Sequence, residues 1–396
     1  MSEINLFFET LNKRIDYVVF KNFDHIESSL LGDFNFDISV EPNHKKKFQE
    51  IVSRFNLIEG INIYDFLNKD VVHYYLFDDD AIYHLHIHYG LIMGTGYVKE
   101  FKVELPAGFY QNFHLYKNIR ILSEPFYHDV STIRASIKSK SLIGLIYIAI
   151  LRKKINRNNH LAPSWQYVLV KNVSFSILKN CLALMLKILQ TLCFFGEKGK
   201  KFYSKGYSVG IGGPDGSGKT TLTTHLYEEL SQVFYVKRFS FGRLTASTIK
   251  KGSSNKAGGV YKIKKVGAGL LRFYLAQKIR LFKKLHFIVL SDRYYNYNGP
   301  GMDSFKLDDG KSFCNLERYI YNRIPPIDLM FLVDVPLSSS IARNRSRIKE
   351  GKEDDTEIRT RYQEFKSTKY KAKRHVVIEN SKTVKEGIKK MKNELF

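Results

Sequence analysis

Apolar positions recur at helical spacing from the start of the chain. Ile4, Phe7, Phe8, Leu11 and Ile15 predict an amphipathic helix, and the run Tyr17 to Phe20 predicts a short strand behind it. In GDFNFDISV (32–40), Phe34, Phe36, Ile38 and Val40 alternate with Asn35, Asp37 and Ser39. That alternation predicts a strand with one apolar and one polar face, from which Asp33, Asn35 and Asp37 project together. Phe48, Ile51, Val52, Phe55 and Leu57 return to helical spacing. YHLHIHY (83–89) alternates again and places His84, His86 and His88 on one face. Ile133, Ile137, Leu142, Leu145, Ile148 and Leu151 keep helical spacing over 129–155, which predicts the helix that closes a first α+β domain.

In the second half, Tyr207, Val209 and Ile211 form a strand-like entry to a glycine-rich turn, and Leu222, Leu226 and Leu230 give a helical stripe after it. VFYVKRFSF (233–241), FIVLSDRYY (287–295), IDLMFLVDVP (327–336) and HVVIEN (375–380) read as further strands. The near-continuous apolar runs at 287–291 and 327–333 predict strands buried on both faces of a parallel sheet. Residues 250–265 predict a basic, mobile loop. Residues 267–287 predict a helix with Leu270, Leu271, Tyr274, Leu275, Ile279 and Phe282 on its apolar side and Arg272 elsewhere. Val384, Ile388 and Met391 predict an amphipathic last helix. Two apolar stretches, 142–151 and 173–195, invite a membrane reading. The first is too short to span, and Lys179, Asn180, Lys187 and Gln190 interrupt the second. An interdomain helix or one lying on a membrane surface fits 173–195 better. The organisation expected is thus a first α+β domain (1–155), a linker with an amphipathic helix (156–205) and an α/β domain (206–396).

The composition is that of a folded protein, 44% hydrophobic and 14% aromatic. Cys181, Cys193 and Cys314 lack metal-ligand spacing and predict a reducing compartment without a disulfide framework. The N-terminus has no signal-peptide pattern, so a cytoplasmic protein is expected, with peripheral attachment to the inner membrane face left open. About +20 of the net charge of +24 falls in residues 201–396. That balance suits anionic substrates, and equally an acidic lipid or nucleic-acid surface, with nucleic acid the weaker of these; simple solubility is the alternative.

The strongest chemistry is in GGPDGSGKTT (212–221), where Gly213, Gly218, Lys219 and Thr220 fit G-x-x-x-x-G-K-[ST]. Glycines at 213, 216 and 218 let successive N–H groups turn inward on phosphate oxygens, and the helix that follows adds its positive end. The expected nucleotide-binding residues are Gly213, Asp215, Gly216, Ser217, Gly218, Lys219, Thr220 and Thr221, with Lys219 reaching the β- and γ-phosphates. Asp292 ends a buried strand where α/β folds bind ligands, so Thr220 and Asp292 are the candidate magnesium ligands, and Arg293 the cation beside them. Arg343 and Arg347 lie in the arginine-rich segment 341–365, which reads as a lid or as a helix of Glu/Arg pairs. His-x-His at 84–88 is a way to bind zinc; a histidine-rich strand face, or histidines that hydrogen-bond a ligand, are the alternatives.

Two resemblances follow from these residues. The strand with Asp37 is similar to the metal-binding strand of the nucleotidyltransferase superfamily, in which two carboxylates stand two residues apart; here Asn35 occupies the first place and Asp37 the second. Residues 206–396 resemble the thymidylate kinase group of P-loop nucleoside monophosphate kinases, through GPDGSGKTT (213–221), Asp292-Arg293-Tyr294, IDLMFLVDVP and the arginine segment ending in RTRYQEF. The pair resembles thymidylate kinase-like proteins of bacterial surface-polysaccharide gene clusters. These resemblances imply a parallel sheet flanked by helices, ATP with Mg2+, and phosphoryl transfer to an anionic small molecule or glycan, with a homodimer among the allowed states. FSFGRLT (239–245), where only Arg243 matches the family's motif, and YNYNGPGMD (295–303) lack the thymidine-recognition residues, so thymidylate is not the expected acceptor. An ATP-binding switch with a basic docking surface and a nucleotidyltransferase remain the competing readings.

Overall fold

A computed structural model describes residues 2–62, 69–78, 81–94, 101–139, 169–171, 185, 200–214, 216–241, 259–295, 319–320, 322–346, 355–380 and 383–395. The chain divides into two compact units, Met1–Gly199 with Phe396, and Lys200–Leu395.

The first unit contains α1 (Glu3–Arg14), β1 (Tyr17–Lys21), α2 (Ile26–Leu30), β2 (Phe36–Val40), α3 (Lys45–Arg54), β3 (Ile58–Ile61), β4 (Val71–Phe77), β5 (Ile82–Tyr89), β6 (Leu91–Met93), β7 (Phe101–Val103), β8 (Phe113–Tyr116), β9 (Ile119–Leu122), α4 (Glu124–Ser139) and β10 (Leu169–Lys171). Its main sheet runs β3-β4-β5-β2-β1-β9-β8, and β10-β7-β6 form a small second sheet. One core joins the apolar stripes of α1 and α3 to Tyr17, Val19, Phe36, Ile38, Leu85 and Ile87. The opposite face carries Val18, Phe20, Leu91, Val103 and Phe109 against Val130, Ile133 and Ile137 of α4. Both faces of the sheet are therefore covered, and this corrects the expected strand at 32–40. The polar face is not open: Asp37 and Ser39 are 1% and 0% exposed. The strand begins only at Phe36, the first residue paired with β5. Phe34 stays outside it, exposed and stacked on His25. The closing helix starts at Glu124, earlier than its apolar spacing indicates. The expected helical run 142–151 lies outside the described residues, as does 173–195 apart from Met185. β10 falls within the stretch read as a linker.

The second unit contains β11 (Phe202–Tyr203), β12 (Tyr207–Gly212), α5 (Lys219–Ser231), β13 (Val236–Ser240), α6 (Gly259–Lys284), β14 (Ile288–Asp292), β15 (Ile327–Asp334), α7 (Leu337–Arg345), α8 (Asp355–Ser367), β16 (Ala372–Glu379) and α9 (Val384–Leu395). Five of these strands form a parallel sheet in the order β13-β14-β12-β15-β16. The three inner strands are almost wholly buried and the two edges half-exposed, which is why the inner ones read as continuous apolar runs. Leu222, Leu226 and Leu230 of α5 are fully buried, as their spacing predicts.

Two expectations are corrected in α6. The helix starts at Gly259, so 259–265 is helix and not loop; 250–258 lies outside the described residues. Its buried side includes Arg272, Ala276 and Ile279, whereas Leu270, Leu271 and Tyr274 are exposed. Near the end of the helix the Lys283 ammonium lies 2.5 Å from Asp328 Oδ1 on β15. Among the described residues no helix is long and apolar enough to cross a membrane.

Candidate functional site

The phosphate-loop sequence sits at the C-terminal end of β12, the central strand, and opens directly into α5. Gly216 and Gly218 adopt φ of 85° and 88°, the left-handed region that glycine enters at least cost. A side chain at 218 would also strike Asn380, its Cβ falling 2.5 Å from Nδ2. Lys219 is buried, and its ammonium donates to the carbonyls of Gly213 (2.7 Å) and Pro214 (2.8 Å). Thr220 and Thr221 face solvent in the first turn of α5, while Thr223 is buried and donates to the Lys219 carbonyl. Ser217 Oγ is buried with no hydrogen-bond partner among the described residues. Asp215 lies outside them.

β14 brings Asp292 beside this loop. Its Cα partner on β12 is Ile211, two residues before Gly213. Asp292 Oδ1 is buried and likewise has no hydrogen-bond partner among the described residues. A buried carboxylate oxygen left without a partner costs free energy, which a bound cation would offset. Arg293 follows with φ of 69°, and its N–H donates to the Ile211 carbonyl at 2.9 Å. The strand end is thus locked to β12 in a conformation that non-glycine residues rarely take.

On the other side of β12, the strand β16 leads to a residue that the sequence pattern did not single out. Asn380 donates through Nδ2 to the Ser217 carbonyl at 2.7 Å, and its own carbonyl accepts from Arg343 Nη2 at 3.2 Å. Arg343 is in this way tied to the loop through Asn380. The signal was available: Asn380 follows a strand at its C-terminal end, much as Asp292 ends one. Arg347 lies outside the described residues. α8 is anchored rather than detached, since Tyr362 donates to Asp334 Oδ1 at 3.2 Å and Lys366 pairs with the same carboxylate. Arg345 and Asp355 pair across the interval between α7 and α8. Arg243 and the stretch 296–303 lie outside the described residues.

The histidine strand of the first unit forms a separate polar cluster. The register aligns Lys21, Asp37, His86 and His73 across four neighbouring strands. A bulge in β1 between Val19 and Lys21 turns Lys21 to the side of Asp37. Asp37 Oδ2 accepts from Asn22 and Asn35 at 2.8 Å each and pairs with Lys21 at 3.0 Å. Oδ1 meets His86 Nδ1 at 2.7 Å. Burial pushes the Asp37 carboxyl up, but the His86 hydrogen bond and the charges of Lys21 and the histidines outweigh it and hold it well below the usual range. His84 adjoins this group, with Nε2 3.0 Å from His73 Nδ1 and its ring stacked on Tyr75 and 6.2 Å from the His86 ring.

No family model and no curated protein matches the chain. Among solved structures, a deoxyadenosine kinase from M. mycoides, solved with dCMP and a flexible dCDP, is similar over 48% of this chain and 97% of its own, at 16% identity and a TM-score of 0.29. A likeness of that size carries no weight for function.

Proposed function

We propose that the second unit is an ATP- and magnesium-dependent phosphotransferase. The observation that carries this reading is the register that seats Asp292, whose buried Oδ1 has no hydrogen-bond partner among the described residues, beside a glycine loop opening into a helix. The loop N–H groups and the N-terminus of α5 supply positive potential to the phosphates. Lys219 exchanges the carbonyls of Gly213 and Pro214 for phosphate oxygens. Thr220 and Asp292 would hold magnesium, which would supply charge neutralisation to the phosphates. Arg293 and Arg343 add cations near the charge that spreads over the transferred group. Taking the acceptor's proton is the alternative role for Asp292. The basic composition of this half favours an anionic or sugar-like acceptor.

The test is ADP release by the full chain with ATP, Mg2+ and a panel of deoxynucleoside monophosphates, sugar phosphates and bacterial glycans. One acceptor class should stimulate turnover, and Lys219→Ala should lower it on the order of a hundred- to a thousandfold. Tight ATP binding with no stimulation by any acceptor would replace this reading with the ATP-binding switch.

A further inference from the structure

We propose that Asp37, His86 and His88 of the first unit bind a first-row divalent transition ion, Zn2+ or Fe2+, in a site separate from the phosphate loop. One ligand atom from each of the three lies within 4.8 Å of the others. Asp37 and His88 are fully buried, and the His86 side chain is 13% exposed. The surrounding contacts orient the donors. Lys21, Asn22 and Asn35 all occupy Asp37 Oδ2, which fixes the carboxylate's rotation and turns Oδ1 to the imidazoles. His88 Nδ1 lies 3.1 Å from the Ile92 carbonyl, an acceptor only, so Nδ1 carries the proton and Nε2 the lone pair. That is the arrangement by which a backbone carbonyl sets the tautomer of a metal-binding histidine. The His86 ring is held by stacking on His73, with centroids 4.4 Å apart and planes 8° from parallel.

Two imidazoles and one carboxylate suit zinc or iron, and leave coordination positions for water or substrate. Magnesium and calcium prefer sets of oxygen ligands. On binding, the ion replaces the proton between His86 Nδ1 and Asp37 Oδ1; that proton moves to His86 Nε2 or to solvent. The other three-residue group among the described residues, Asp16, Glu41 and His44, is half-exposed, and its His44 Nδ1 already accepts the Asp16 N–H.

The experiment uses the tag-free full chain, stripped with chelator and titrated with Zn2+ against a chromophoric competitor, with Co2+ as an optical probe. One equivalent should bind, and the Co2+ visible bands should report nitrogen and oxygen donors. His86→Ala and His88→Gln should each weaken binding at least about tenfold. His44→Ala and Lys219→Ala should leave it unchanged. Should a ligand variant fail to fold, the stripped wild-type chain decides, because saturating Zn2+ must raise its Tm. No stoichiometric binding, no rise in Tm, or an affinity indifferent to His86 and His88 would overturn the proposal.

Discussion

Arg293 combines a left-handed backbone, φ of 69°, with a place at the end of the strand that carries Asp292. For a residue with a Cβ this conformation costs about 1 kcal/mol or more, and such strain collects at functional sites. Arg293→Gly separates backbone from charge. It should leave Tm unchanged or slightly raised while transfer falls about a hundredfold, which thermal unfolding and turnover measured on one preparation would show. A variant with full activity would remove the arginine from the transfer centre. Asn380 makes the complementary case. Asn380→Ala deletes the donor to the Ser217 carbonyl and should cost about 1–2 kcal/mol, with a raised KM for ATP and a smaller change in kcat. An unchanged KM would mean that the loop holds its shape without it. The two residues were open to sequence reading in different degrees. Asp292-Arg293 stood out through the apolar run before it, whereas Asn380 acts on a loop far away in sequence, and no local spacing encodes that pairing.

The inner strands were legible because burial on both sides leaves a contiguous apolar run, and α5 because its one buried face sets Leu222, Leu226 and Leu230 at helical spacing. α6 was legible as a helix but not in its rotation. Its spacing does not show which side packs on the sheet, and its ion pair runs to Asp328, on a strand more than forty residues further along. Asp328 ties three elements together: Ser208 of β12 donates to it through N (3.0 Å) and Oγ (2.7 Å), and Lys283 of α6 and Lys373 of β16 pair with it. Burial pushes its carboxyl up, but the hydrogen bonds from Lys283, Ser208 and Lys373 prevail and hold it below its ordinary value. A depressed folded value means stability that is complete above the unfolded value of roughly 4 and drains away as pH falls through the folded one. Asp328→Asn should therefore cost about 2 kcal/mol at pH 7. The gap between the two proteins in denaturant titrations should shrink steadily on acidification towards pH ~3. A gap independent of pH would show that Asp328 acts by shape alone.

At the scale of the whole chain, the glycine loop and the histidine cluster belong to different compact units. Hydrogen exchange should show ATP with Mg2+ protecting peptides from 207–226 and 288–295, while those from 36–40 and 82–93 keep their rates. Zn2+ should do the reverse. Protection of both regions by either ligand would mean that the units are coupled. The first unit was the harder to read, since its buried polar row lies across strands: Asp37 and His86 face each other through register, and the bulge that brings Lys21 to them has no signature in composition. The contact between Asn380 and Ser217 also orders events during synthesis. The two residues are 163 positions apart, and the clamp on the loop follows β16. A nascent chain carries its glycine loop through that whole interval before the asparagine that braces it exists. On the phosphotransferase reading, the loop reaches its full hold on nucleotide only once residue 380 has left the ribosome, and a chain truncated before it has the loop's sequence without its brace.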